Sequence, residues 1–274
     1  MAKEVTLTSA LRTNLLSLQS TQKLLDQTQL RLATGKKVNG ALDNANSFFA
    51  SQSLTNRAND LSRLLDGIGQ AAQTLKAADE GIKTMTAFLE QMQAVAQEAL
   101  DQANAAAGAP ADITSLQDSY DELITQLDSV ATDAGYRGTN LLAEGSLTVT
   151  FNEDGTSSLA ITGVDFTTAG DLSISAANFA DATAAQDALD EISGALDLAR
   201  ATARSFGTNL NIIQTREDFT QNLINTLKEG SDKLVLADNN EEGAKLLALQ
   251  TQQQLGITSL SLASQAQQSV LSLF

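Results

Sequence analysis

Proline forces a helix to stop, because it lacks an N–H and its ring clashes with the preceding turn. This chain has one proline, Pro110, in 274 residues. Helices on either side of it are therefore free to be long. Hydrophobic residues make up 42% of the chain but aromatic residues only 4%, so the helices must pack through aliphatic and small side chains. There is no Cys and no His, which excludes disulfides, thiolate zinc sites, Ser-His triads and Cys nucleophiles.

Hydrophobic spacing then divides the chain. Leu11, Leu18, Leu25 and Leu32 recur every seven residues, with Leu15 as the intervening apolar site and Gln22 and Gln29 at its later equivalents. That is one seam of a coiled coil. "TGKKVNGALDN" follows as a loop, with Asp43 or Asn44 placed to cap a helix running to about Gln102, interrupted by Gly67, Gly69 and Gly81. Asp112 is expected to open a helix to about Thr132, with Ile113, Leu116, Tyr120, Leu123, Ile124 and Leu127 on one face. The period then changes to two. Leu147, Val149 and Phe151, a turn at Asp154-Gly155, and Leu159 and Ile161 predict a β-hairpin, with "VDFTTAGDLSI" as a further strand. Helix resumes near Ala182 and runs, with a weak point at Gly207, to about Val235. A last helix spans roughly Glu242 to Leu271.

The fold class expected is mainly α: antiparallel terminal coiled-coil helices plus a rod-like helical bundle with a small β-hairpin region. The domains expected are 1–42 with 236–274 (inner terminal coiled coil), 43–145 with 176–235 (helical rod), and 146–175 as a hairpin insertion.

The formal charge of -16 is uneven. Residues 84–199 hold 19 acidic side chains and one basic, whereas the flanking segments are close to neutral. Nucleic acid and anionic membranes are poor partners for such a middle, which reads as a solvated face. No cleavable signal peptide is expected from "MAKEVTLTSALRTNLL". Residues 246–274 carry no charged side chain, but seven Gln interrupt them, so no membrane span is expected.

Catalytic and ligand motifs fail on context. "GIGQAA" (67–72) lacks the preceding strand that a dinucleotide fingerprint needs. "DNNEEG" has calcium-loop spacing, yet Leu249 stands where the bidentate acid is required, so it reads as an interhelix break with Asp238 capping. Catalytic, cofactor-binding and metal residues are accordingly none, and no enzyme is expected.

Three stretches carry a resemblance. "RLATGKKVNGALDNA" resembles the flagellin N-terminal signature through Thr34, Gly35, Lys37, Val38, Asn39, Ala41 and Asp43. "LGITSLSLASQAQQSVLSLF" is similar to the flagellin C-terminus, and "GYRGTNLL" to an internal turn of that family. The match covers about residues 1–142 and 183–274. Asn44 departs from the family's frequent second Asp, and "ADNNEEGAKLLALQ" from its usual acidic run. The hook–filament junction protein shares the start, but its Arg-Pro-x-Asp-Asp-Pro continuation is absent and "GALDNA" stands instead. A non-flagellar coiled-coil adaptor is the rival from another class.

The resemblance implies a structural subunit that polymerises helically into the bacterial flagellar filament, outside the cell, exported without a cleavable signal peptide. Its implied partners are itself, the flagellar cap and hook-associated proteins, and an export chaperone with the type III export apparatus. The inner assembly residues would be Leu11, Leu15, Leu18, Leu25, Leu32, Leu260, Val270, Leu271, Leu273 and Phe274. Fully burying one such side chain is worth roughly 1.5–3 kcal/mol. The first ~35 and last ~30 residues are expected to fold on assembly, since a lone Gln-rich helix is marginal in water. Candidate O-glycan acceptors are Thr150, Thr156, Ser157, Ser158, Thr162, Thr167 and Thr168.

Overall fold

The computed structural model describes residues 9–105, 110–176 and 178–271. Its elements are α1 (Ser9–Thr34), α2 (Ala45–Asn104), α3 (Pro110–Asp133), β1 (Ser146–Thr150), β2 (Ser158–Thr162), α4 (Ala182–Val235) and α5 (Asn239–Leu271). The fold is mainly α, as expected. The chain divides into two compact units, Met1–Arg57 with Thr226–Phe274, and Ala58–Asn225.

The start and stop signals act as physical chemistry requires. Asn44, rather than Asp43, caps α2: its Oδ1 accepts from Ser47 N at 3.1 Å. Asp43 instead accepts from Asn39 N at 2.9 Å and braces the preceding loop. Pro110 opens α3, where a missing N–H costs nothing. Asp238 caps α5, accepting from Asn240 N at 2.8 Å and Glu241 N at 3.3 Å. The interruptions expected at Gly67, Gly69 and Gly81 do not occur, and Gly207 does not break α4. A glycine costs about 1 kcal/mol in a helix interior, too little to stop one that tertiary packing holds. Gly81 has a positive use, since a Cβ there would lie 2.7 Å from Leu142 Cδ1 and 2.8 Å from Ala134 Cβ.

Unit Ala58–Asn225 has a closed core. Tyr120 and Leu127 of α3, Met85, Leu89 and Met92 of α2, and Ile192 and Ala199 of α4 are all fully buried. The two strands pair antiparallel, with Leu147 opposite Ile161 and Val149 opposite Leu159. Val149, Phe151 and Ile161 turn into the core. The third predicted strand does not form. Residues 163–176 are held instead by a turn in which Asp165 Oδ1 accepts from Thr167 N and Oγ1, at 3.1 and 2.8 Å. Two helix carboxylates tie this segment down. Asp128 accepts from Thr168 N and Oγ1 (2.7 and 2.9 Å), and Glu191 from Ser175 N and Oγ (2.8 and 3.2 Å). Phe166, Leu172, Ile174 and Phe179 thereby seal the core.

The "GYRGTNLL" stretch is a two-residue reverse turn. Tyr136 and Thr139 exchange backbone hydrogen bonds at 2.9 and 3.0 Å. Arg137 (φ 49°) and Gly138 (φ 84°) both adopt the left-handed conformation such a turn needs. Asn140 then closes the end of α3, donating to the carbonyls of Ala131 and Thr132 at 2.7 and 2.9 Å. Leu141 and Leu142 follow into the core.

Candidate assembly surface

α1 and α5 lie antiparallel in the unit built from the chain's two ends. Arg31 meets Glu242, Gln22 meets Gln253 and Leu18 meets Gly256, one index rising as the other falls. The α1 face toward α5 is Leu11, Asn14, Leu18, Thr21, Leu25, Thr28 and Leu32, each of them buried or half-buried. The spacing alternates three and four, as in a coiled coil. The leucine row is the predicted one. The second row is not: Asn14, Thr21 and Thr28 fill it, and Leu15, Gln22 and Gln29 lie exposed at its edge, Leu15 at 40% and Gln22 within reach of α5. Stepping three residues from each leucine, not four, keeps the row on the side facing α5.

On α5 the facing row is Glu242, Leu246, Leu249, Gln253, Gly256, Leu260 and Ala263. Gly256 is the hole for Leu18: a Cβ there would lie 2.7 Å from Leu18 Cδ2 and 3.1 Å from its Cγ. Gln253 Nε2 donates to Gln22 Oε1 at 2.6 Å. Leu260 is half-buried in the row. Val270 and Leu271 belong to the last turn of α5, while Leu273 and Phe274 lie outside the described residues.

At the other end of the seam the loop 35–43 turns against the end of α4. Gly35 takes φ 68°, which ends α1. Lys37 N and Val38 N then donate to Val235 O (2.7 and 3.3 Å), and Ala237 N donates to Gly35 O (2.9 Å). Lys37 Nζ reaches Lys233 O at 3.2 Å, and Val38 is buried. Thr34 Oγ1 donates to Leu30 O (2.8 Å) and Asn39 Nδ2 to Lys36 O (3.0 Å). Ala41 is exposed. Next to this loop Arg31 Nη1 lies 3.3 Å from Glu242 Oε1, and Lys245 Nζ 3.2 Å from the same oxygen. Glu242 is only 4% exposed. Hydrogen bonds from Lys245 to Glu241 and then to Glu242 raise the Lys245 pKa above its ordinary value.

Pairing does not use up the apolar surface of these helices. Leu16 (66% exposed), Leu24 and Leu30 point away on α1, and Leu247, Leu255, Ile257 and Leu262 (69% exposed) on α5. Contiguous apolar patches on a protein exterior commonly serve as contact surfaces. Sequence spacing identified the leucine row but missed Arg31, Glu242 and Gly256. Arg31 and Glu242 are 211 positions apart, and no local pattern connects them.

The candidate glycan acceptors differ in access. Thr156, Ser158 and Thr162 are exposed, while Thr150, Ser157 and Thr167 are half-buried. Thr168 is buried with its hydroxyl bonded to Asp128, which removes it as an acceptor. Among the described residues no acidic cluster suits a metal ion, and no helix is long and apolar enough to cross a membrane.

The family model for the bacterial flagellin N-terminal helical region matches residues 6–146, and that for the C-terminal helical region matches residues 187–274. Flagellin FljO of Caulobacter vibrioides is 31% identical over 82% of this chain and 82% of its own length. A flagellin of Brucella melitensis is 30% identical over 100% of this chain and 99% of its own. A crystal structure of Bacillus cereus flagellin aligns with TM-score 0.49 and 16% identity, over 56% of this chain and 88% of its own. The family assignment rests on the sequence matches, which join the two ends that the seam brings together. The chain belongs to the bacterial flagellin family, whose members are the structural subunits that polymerise into the flagellar filament outside the cell.

Proposed function

We propose that α1 and α5 form the innermost layer of the filament, and that the outer faces of this pair are covered by other copies of the same chain. The carrying observation is that Leu16, Leu24, Leu30, Leu247, Leu255 and Leu262 remain exposed after the seam is made. Head-to-tail contacts whose rotation does not close give a helical polymer rather than a ring. Leu11, Leu15, Leu18, Leu25, Leu32, Leu260, Val270, Leu271, Leu273 and Phe274 are the side chains assigned to this layer. Leu15, exposed at the edge of the intramolecular seam, takes the role of a contact to a neighbouring copy. Pairing of α1 with α5 is completed during polymerisation, because each helix alone is marginal in water.

In this reading residues 1–42 with 236–274 are the inner domain, 43–145 with 176–235 the helical rod, and 146–175 the hairpin insertion. The role is structural and not catalytic. Export through the flagellar type III apparatus with a chaperone, and contact with the cap and hook-associated proteins, belong to the same reading. Thr156, Ser158 and Thr162 are the glycan acceptors this reading retains; intact-mass spectrometry tests them.

The experiment is electron microscopy of concentrated, purified protein with and without residues 270–274. Full-length chain forming helical filaments, and truncated chain remaining monomeric with a folded unit 58–225, supports the reading. Full-length protein that stays monomeric at high concentration and salt refutes it.

A further inference from the structure

The leucines of α1 cannot by themselves decide where α5 docks. Leu11, Leu18, Leu25 and Leu32 offer the same knob every seven residues, so a partner displaced by one heptad meets leucine again. Gly256 favours Leu18 on steric grounds further along, but the charged and backbone-paired features lie at one end. There the segments 35–38 and 235–237 are already joined by backbone hydrogen bonds, so little further chain entropy is lost when the adjoining turns pair. One turn further in, Arg31 meets the buried Glu242. Glu242 Oε1 takes Lys245 Nζ at 3.2 Å from its own helix and Arg31 Nη1 at 3.3 Å from α1, so losing Arg31 leaves this buried carboxylate less fully compensated, which is costly. Helix dipoles reinforce the same end. Arg31 sits in the last turn of α1, and Glu241 and Glu242 in the first turn of α5. Among the described residues the opposite end of the pair has no such complement: the first turn of α1 holds no acidic residue, and the last turn of α5 no basic one.

We propose that Arg31 and Glu242 are the positioning residues from which α1 and α5 zip together, so that pairing runs from this end toward the chain ends. This rests on the reading that pairing is completed during polymerisation. The bond from Gln253 to Gln22 and the seating of Leu18 on Gly256 then form later, as uncharged contacts that follow a register already set.

The test is pulsed hydrogen exchange on full-length chain adding to sheared filament seeds of itself. Wild type should gain protection in peptides spanning 25–34 and 239–249 before those spanning 9–18 and 256–266. Glu242→Gln should slow seeded growth at least about tenfold, as expected for a contact made early, and abolish that order. Arg31→Lys, which keeps the charge, should retain the order. Leu18→Ala should leave the growth rate nearly unchanged and speed subunit loss instead. Thermal unfolding of unit 58–225 checks that each variant is folded. Protection appearing first at the chain ends, or Glu242→Gln growing at the wild-type rate with the wild-type order, overturns the proposal. If wild-type monomer is already protected in these segments before seeding, the assembly-coupled reading fails separately. The same pulse applied during refolding from urea then decides the order of pairing.

Discussion

The two units bury their apolar residues in different ways. In unit 58–225 the aromatic and large aliphatic side chains are driven to full burial: Tyr120, Phe166, Phe179, Met85, Leu127, Leu141 and Leu142 expose almost nothing. In the seam of α1 and α5, leucines alternate with Asn14, Thr21 and Thr28, several contacts are half-buried, and further leucines face outward. The first unit completes its own core. The second leaves Leu16, Leu24, Leu30, Leu247, Leu255 and Leu262 exposed after α1 and α5 have paired. Two paired helices can each bury only one face against the other, whereas three helices, a hairpin and a tied-down segment enclose the core of unit 58–225.

Substitutions should separate the two regimes. The largest effect is expected from Leu127→Ala in the closed core, a loss of about 2–5 kcal/mol in chemical unfolding of the monomer. The equivalent truncation in the seam, Leu25→Ala, should change monomer unfolding far less but raise the concentration needed for polymerisation several-fold. If Leu25→Ala destabilised the monomer as much as Leu127→Ala, the contrast between the units would be lost. Next comes Gly81→Ala, whose added carbon meets Leu142 and Ala134; a loss of about 1–3 kcal/mol is expected for such overpacking. Gly256→Ala meets only the flexible end of Leu18, so its effect should be smaller and be relieved by Leu18→Ala. A double-mutant cycle on filament stability measures that coupling.

The smallest effect at neutral pH belongs to Tyr120→Phe. The Tyr120 ring packs edge-on against Phe179 at 5.4 Å, and its hydroxyl has no hydrogen-bond partner among the described residues. Removing the hydroxyl should therefore change stability by less than about 1 kcal/mol. Alkaline pH should reveal more. Burial, with the carboxylates of Glu191 and Asp121 nearby, raises the Tyr120 pKa above its ordinary value. The proton is then held more tightly in the folded state. Its contribution is intact below the unfolded pKa of about 10 and is lost as pH rises above it. Urea titrations across that range should show a steeper alkaline loss in wild type than in Tyr120→Phe; parallel curves would remove the assigned cause.

Much of this architecture follows from local sequence. The hairpin turn at Asp154-Gly155 and the cap at Asp238 each act over a few residues and are legible in the sequence, whereas Pro110 itself opens α3, two residues before the Asp112 start that the spacing predicts. The heptad leucines were visible for the same reason. The other half of the seam was not, because Thr and Asn do not register in a search for apolar periodicity, and Leu15 offered a false second row. The segment after β2 misled in the opposite sense. Val164 and Phe166 alternate as a strand would, but the Asp165 carboxylate captures Thr167 and turns the chain. Gly256 reads as a weak point in a helix until Leu18 is seen above it. Its meaning lies in the distance between two helices, which no single stretch of sequence contains.

The threonines of the seam have a consequence for reversibility. Thr21 is buried in the pair, yet its hydroxyl donates to Ser17 O, one turn back on its own helix, at 2.9 Å. That bond is the same whether α5 is present or absent. When the helices separate, no hydrogen bond between them is broken at this position; when they meet, no hydroxyl is left stranded. A row built wholly of leucine would hold harder but would leave a separated helix insoluble. A side chain that satisfies its own polar atom in this way can be covered and uncovered again with no change in its hydrogen bonding.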